Sequence, residues 1–342
     1  MIQRVPNRHS IASVAMRVAI ALAIAGCSDT DRPMTTLAPK SDLAQWIQSL
    51  YIQVTVWDAI IFAIVVVAFI LAVFVFSSRV GEAAPASTAS SDLGLEIAWT
   101  LGPTLVLLMI SVPTIRTIFR SQPAVAPKDA LIIKVVAHQW WWEFDYPDGA
   151  KASNEMHIPV NRPIRLSLES GDIIHSFWVP QLGGKRDVVP GQINELTFVA
   201  TVVGVYPGQC AEFCGLSHAN MRFRTFVDSP EVFAKWDSAQ LAGPVATPTR
   251  DELASDGAKV FADSPCTTCH MIQGISKGYI GPDLTHFGSR TTLAAGVLQN
   301  TPENVAKWIE NPQEIKPGAN MPPLLLPGPE LNALVAYLES LK

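Results

Sequence analysis

At 342 residues the chain is long enough for two or three domains, and 49% hydrophobic against 16% charged residues is too apolar for a wholly water-exposed protein. A net charge of -5 gives no support to nucleic-acid binding. Five cysteines, Cys27, Cys210, Cys214, Cys266 and Cys269, exclude a complete set of intrachain disulfides, so some must serve another purpose.

Residues 1–27 have the layout of an export signal. Arg4, Arg8 and Arg17 precede a short apolar core, Val18 to Ala25, which ends in small residues at Ala25-Gly26-Cys27. Ile24-Ala25-Gly26-Cys27 resembles a bacterial lipobox, which would make Cys27 the lipidated first residue of the mature protein; an ordinary signal peptide with an incidental cysteine is the alternative. Residues 28–128 are expected to hold a polar tether and two spanning helices. The first apolar run, 54–76, would be roughly 34 Å long as a helix, enough to cross a bilayer. The second, 97–118, carries Pro103 and Pro113, tolerated in spanning helices whose neighbours satisfy the freed backbone groups. Arg79 lies between the runs, whereas Arg116, Arg120 and Lys128 lie at or beyond the end of the second. This bias favours a cytoplasmic position for the large domain, but the export signal argues the reverse and is taken as decisive.

From 129 to 241 the texture changes to short β-branched runs, 131–137, 164–168 and 195–199, separated by Pro and Gly turns. They predict an antiparallel β domain, followed by a helix that Ser229-Pro230-Glu231 would cap. Residues 242–249 read as a Pro/Gly linker. Residues 250–342 carry helical signals at 252–262, 301–309 and 330–341 with no strand pattern between them, which predicts a separate all-α domain.

Cys210-Ala-Glu-Phe-Cys214-Gly-Leu-Ser-His218-Ala-Asn-Met221 concentrates soft and borderline ligands within a dozen residues. Such a set selects copper or zinc over calcium or magnesium. Methionine is a poor zinc ligand, and a mononuclear blue-copper site needs a single cysteine. The second cysteine therefore points to two coppers bridged by two thiolates. A further histidine is required, and His175, at a predicted strand end in Gly171-Asp-Ile-Ile-His175-Ser-Phe-Trp, is the best placed; taken alone, such a histidine would more often be structural.

Together, the cysteine loop, His175-Ser and Gly171-Asp172 resemble subunit II of cytochrome c oxidase, with its CuA centre. That resemblance implies a cupredoxin-like Greek-key sandwich for the β domain, with copper held by His175, Cys210, Cys214, His218, Met221 and the backbone carbonyl of Glu212. It also implies that the Glu212 side chain faces a magnesium site shared with the catalytic subunit. Glu96-x-x-Trp99-Thr-x-x-Pro103 looks like the second spanning helix of that subunit, where the matching glutamate stands at the entrance of a proton pathway; a solvated helix end is the plainer reading of Glu96. His138-Gln-Trp140-Trp141-Trp142-Glu-Phe resembles the family's aromatic run, whose first tryptophan receives electrons from cytochrome c. On a strand, Trp140 and Trp142 would share a face, and Trp140 is expected to be the exposed, functional one.

Cys266-Thr-Thr-Cys269-His270, in an exported domain, reads as covalent heme c attachment, with His270 as an iron ligand. A redox disulfide would more usually sit in a βαβ pattern. Met321, in Gly318-Ala-Asn-Met-Pro-Pro, is the preferred sixth ligand over His286, and Met271 is too close to His270 to reach around. Gly281-Pro282-Asp-Leu resembles the class I cytochrome c loop whose proline carbonyl accepts the proximal histidine N–H, and the whole domain resembles that class. The cysteines then balance: one for lipid, two for copper and two for heme.

These readings describe an electron-transfer subunit of a heme-copper oxidase, with a cytochrome c fused to subunit II. It would pass electrons to an oxygen-reducing subunit I, beside a subunit III, and take them from another cytochrome c or an upstream respiratory complex. The expected location is a bacterial inner membrane, with the large domains on the periplasmic side. A quinol oxidase subunit would lack the copper ligands, and a copper-delivery protein would have no use for the Cys-x-x-Cys-His motif.

Overall fold

A computed structural model describes residues 32–75, 92–244 and 252–342. The expected leader with Cys27, the interhelical residues 76–91 and most of the linker lie outside them. Helix α1 (Asp42–Val75) and helix α2 (Leu93–Ser121) are both longer than their apolar runs. The first turn of α1 packs on the β domain. Leu43 and Ala44 are buried against the β domain, Asp42 Oδ1 accepts the Val199 N–H at 2.7 Å, and Ser41 Oγ donates to the Leu182 carbonyl. Hydropathy alone does not register such a segment, because its partner is protein rather than lipid. Asp92 caps α2 by accepting from Gly94 N and Leu95 N. The apolar stretches of both helices are uncovered, the profile of helices with lipid as solvent.

Ten strands follow: β1 (Leu131–His138), β2 (Trp141–Asp145), β3 (Lys151–Ser153), β4 (Glu155–Pro159), β5 (Pro163–Ser170), β6 (His175–Trp178), β7 (Arg186–Val188), β8 (Asn194–Val199), β9 (Gly204–Cys210) and β10 (Arg222–Asp228). They form two five-stranded sheets, ordered β3-β2-β1-β5-β8 and β4-β10-β9-β6-β7. The expectation of a purely antiparallel domain is corrected: β1 pairs β5 in parallel, and β4 pairs β10 in parallel. Alternation along a strand reports which face is buried but not which strand lies alongside, and crossovers between the sheets create these pairs. Ile133, Val135 and Ala137 of β1 all point inward, and the Trp142 ring packs edge-on against Phe177 at 5.5 Å. Helix α3 (Pro230–Leu241) starts, as expected, with the Ser229 hydroxyl accepting from Val232 N.

The C-terminal domain comprises α4 (Glu252–Asp263), α5 (Cys266–Cys269), β11 (Met271–Ile272), β12 (Ser276–Lys277), β13 (Thr292–Leu293), β14 (Leu298–Gln299), α6 (Pro302–Glu310), α7 (Pro312–Ile315) and α8 (Gly328–Ser340). It is helical apart from two ladders of two residues each, β11–β12 and β13–β14, too short to leave a periodic signal in sequence. Helices α4 and α8 cross at Gly257, where an added Cβ would lie 1.9 Å from the Ala333 carbonyl oxygen. No side chain fits there, so the first and last helices of the domain meet backbone to backbone.

Candidate functional site

Two separate pieces of chain converge at one end of the sandwich. β6 supplies His175, β9 ends on Cys210, and the following loop carries Cys214, His218 and Met221. His175, Cys210, Cys214 and Met221 are buried. The two sulfurs are 3.7 Å apart as free thiols, a gap that metal–sulfur bonds of about 2.3 Å can bridge. His175 Nδ1 lies 3.9 Å from Cys210 Sγ, and His218 Nδ1 lies 3.5 Å from Cys214 Sγ, so each sulfur has its own imidazole. Met221 Sδ is 3.8 Å from Cys214 Sγ, and the Glu212 carbonyl oxygen is 3.1 Å from Cys210 Sγ. The Glu212 side chain is exposed, so its carbonyl faces the sulfurs while its carboxylate faces outward.

Electrostatics favours cations here. The hydrogen bond with Cys214 is the largest influence holding Cys210 below the ordinary thiol range. That same hydrogen bond, with burial, pushes Cys214 up. A thiolate on one cysteine disfavours a second on its neighbour, and positive charge between them favours both. Burial lowers the pKa of His175, but its hydrogen bonds with Asp172 and Cys210 outweigh this and carry it up. Asp172 Oδ1 is 2.7 Å from His175 Nε2, which leaves Nδ1 facing the sulfurs. The donor set, soft and in two balanced halves, fits a binuclear copper site.

The second site is an open cleft of the C-terminal domain lined by Cys266, Cys269, His270, Pro282 and Met321, with Trp140 of the β domain closing one side. His270 Nδ1 is 2.8 Å from the Pro282 carbonyl oxygen, leaving Nε2 for a ligand. Burial lowers the pKa of His270, which favours the neutral ring that iron ligation requires. Gly281 lies against that ring, where a Cβ would come within 2.6 Å of Cε1. The cleft, with two free thiols and an oriented imidazole, fits a covalently attached heme. His286, the alternative to Met321, does not line the cleft; its Nε2 is 3.3 Å from the Gln240 carbonyl oxygen of α3.

Trp140 requires a correction. It is 8% exposed rather than open to solvent, and it lies in the turn between β1 and β2 rather than on a strand. Trp142 faces the sandwich core, whereas Trp140 donates its indole N–H to the Cys214 carbonyl at 2.8 Å and lines the C-terminal cleft. The C-terminal domain covers it: an added Cβ on Gly318 would meet the Trp140 ring at 2.9 Å. Trp141 stacks on His138 with ring centroids 4.3 Å apart. Lys316, which carried no signal in sequence, is buried between the domains and donates to the Trp140 carbonyl. Glu96 stands in the first turn of α2, half-buried, and lines neither site.

Three family models match consecutive stretches of the chain. They are the cytochrome c oxidase subunit II transmembrane domain over residues 38–117, its periplasmic domain over 149–226, and cytochrome c over 254–342. Among curated relatives, cytochrome c oxidase subunit 2 of Alkalihalophilus pseudofirmus is 36% identical over 330 residues, covering 94% of this chain and 95% of the relative. Cytochrome c oxidase subunit 2 of Bacillus subtilis is 32% identical over 345 aligned positions, with the same two coverages. That of Bacillus sp. PS3 is 36% identical, covering 72% of this chain and 74% of the relative.

Proposed function

Because the chain belongs to the cytochrome c oxidase subunit II family, we propose that His175, Cys210, Cys214, His218, Met221 and the Glu212 carbonyl hold its copper pair. Cys266 and Cys269 would attach its heme, and His270 and Met321 would ligate its iron. When bound, these groups supply one-electron redox chemistry, and the chain delivers electrons to the oxygen-reducing subunit I of its heme-copper oxidase. The observation that carries the residue assignment is the position of Trp140, which touches both sites: its indole nitrogen bonds to Cys214 and its ring lines the C-terminal cleft.

The chain's own contribution is positioning. Ligands on β6, on the end of β9 and on a loop tied to both change little as the charge of the site changes, because the core beneath them is close-packed. Asp172 fixes the orientation of His175, and the Pro282 carbonyl fixes that of His270. The exposed Glu212 carboxylate is left for a magnesium ion at the border with subunit I. Helices α1 and α2 anchor the protein in the membrane, with the large domains in the periplasm; the membrane is a bacterial inner membrane, and subunit III completes the complex. Glu96, at the opposite end of α2 from the sandwich, is assigned to the entrance of a proton path in subunit I.

The test is the metal content of the purified full chain. Two coppers per heme iron are expected, with one unpaired electron shared over both coppers in the oxidised protein. The heme should survive acid–acetone extraction. A single-copper hyperfine pattern, or heme lost on extraction, overturns the assignment.

A further inference from the structure

A Pro/Gly segment joins the two extramembrane domains, and such a connection does not by itself select one arrangement of them. The interface supplies the selection. We propose that Glu155 and Lys316 form a two-point latch that fixes the C-terminal domain over Trp140, so that the chain works with its electron donor already docked. The proposal rests on the electron-transfer reading above.

Glu155 opens β4 and is 6% exposed. Its carboxylate accepts from one dipeptide of the C-terminal domain: Thr291 N at 3.0 and 3.1 Å, Thr291 Oγ1 at 2.7 Å, Thr292 N at 2.8 Å and Thr292 Oγ1 at 2.8 Å. A carboxylate withdrawn from water is costly unless its hydrogen bonds are replaced. Here the replacements are charge-assisted, and a small shift of the domain would forfeit several of them together. The latch is therefore directional as well as attractive.

Lys316 is the reciprocal group, a side chain of the C-terminal domain that reaches the β1–β2 turn of the sandwich. Its Nζ donates to the Trp140 carbonyl and approaches the Ala294 carbonyl at 3.5 Å. Burial pushes its pKa down to about 7. The bond does not depend on the charge, since the amine donates in either protonation state. Between the two points, Ala294 and Ala295 adopt left-handed φ of 54° and 60°, unfavourable for residues with a Cβ. Such backbone persists where its surroundings hold it, and the Ala295 carbonyl accepts from Arg222 N at 3.2 Å across the interface. Ser217 of the copper loop donates to the Pro317 carbonyl at 2.6 Å, beside Lys316.

The consequence concerns partners. With the latch closed, Trp140 is covered, so an external redox protein reaches Trp140 only through the C-terminal domain.

The test uses the full chain with both cofactors bound. Internal heme-to-copper electron transfer is measured after photoreduction of the heme, at several viscosities, and amide exchange is followed at Thr291 and Thr292. The wild type should transfer at a viscosity-independent rate with slow exchange at both amides. Glu155→Ala should accelerate that exchange by at least about tenfold, the scale of lost bonds to a charged group. Its transfer should slow and become viscosity-dependent, with the spectra of both centres unchanged. Thr292→Val, made from the other side of the interface, should act in the same direction, and it decides alone if Glu155→Ala loses copper. Viscosity-dependent transfer in the wild type, or unchanged exchange in the variants, overturns the latch. Absence of any heme-to-copper transfer in a wild type with protected amides instead overturns the electron-transfer reading and leaves the latch standing.

Discussion

The Trp140 indole nitrogen donates to the Cys214 carbonyl oxygen at 2.8 Å, so one side chain joins the copper loop to the wall of the heme cleft. Trp140→Phe keeps an aromatic ring but removes this hydrogen bond. Internal electron transfer should slow several-fold in stopped-flow or flash experiments, while the optical and EPR signatures of both centres persist. Unchanged kinetics would place the route elsewhere.

Asp172 is the anchor of His175. Its other oxygen accepts the Gln139 N–H at 2.5 Å, which ties the β1–β2 turn to the copper site. In Asp172→Asn the imidazole loses its carboxylate partner. Copper affinity should fall by about 10–100-fold, the usual effect of removing such a support. Competition with a copper chelator reads this directly, and a variant that holds copper as tightly as the wild type would refute the role.

Met321 lines the heme cleft, whereas His286 is turned toward Gln240. Met321→Leu should therefore lower the heme reduction potential and open an axial position to added imidazole or cyanide. His286→Gln should do neither. A redox titration of both variants, followed optically, separates the two candidates.

Glu143 lies between His138 at 3.2 Å and Lys151 at 3.1 Å, and these partners outweigh burial to hold its carboxyl at about 2, below the usual 4.5. A depressed acid binds fewer protons in the folded state. Its contribution is complete above pH 4.5 and is lost as the pH falls from there through about 2. The amount is on the order of 1–3 kcal/mol, the lower end reflecting solvent screening. Glu143→Gln should therefore flatten the dependence of thermal stability on pH across this interval, and parallel melting curves for the two proteins would contradict it.

Much of this protein is legible in its residues because metal and heme ligation depend on local chemistry. The Cys210–Met221 loop declares two thiolates, an imidazole and a thioether within one turn and loop, and Cys266–His270 declares its attachment site within five residues. The spanning helices are equally plain, since lipid as solvent demands long apolar runs. Even the proximity of His175 to Cys210 and Cys214 was open to inference, because a ligand set that lacks one member narrows the search for it.

What depends on distant contacts was not legible. The parallel pairing of β1 with β5, the protein-facing first turns of α1 and the burial of Trp140 all follow from which surfaces meet. An aromatic run such as Trp140-Trp141-Trp142 looks alike whether it faces solvent, core or a neighbouring domain. Glu155 and Thr291 are 136 positions apart and unremarkable in composition, yet they meet in a buried cluster of hydrogen bonds. Local sequence determined which cofactors the chain can hold. Only the tertiary structure decided that the heme cleft sits over the copper loop, because that depends on the desolvation and hydrogen bonding of surfaces far apart in the chain.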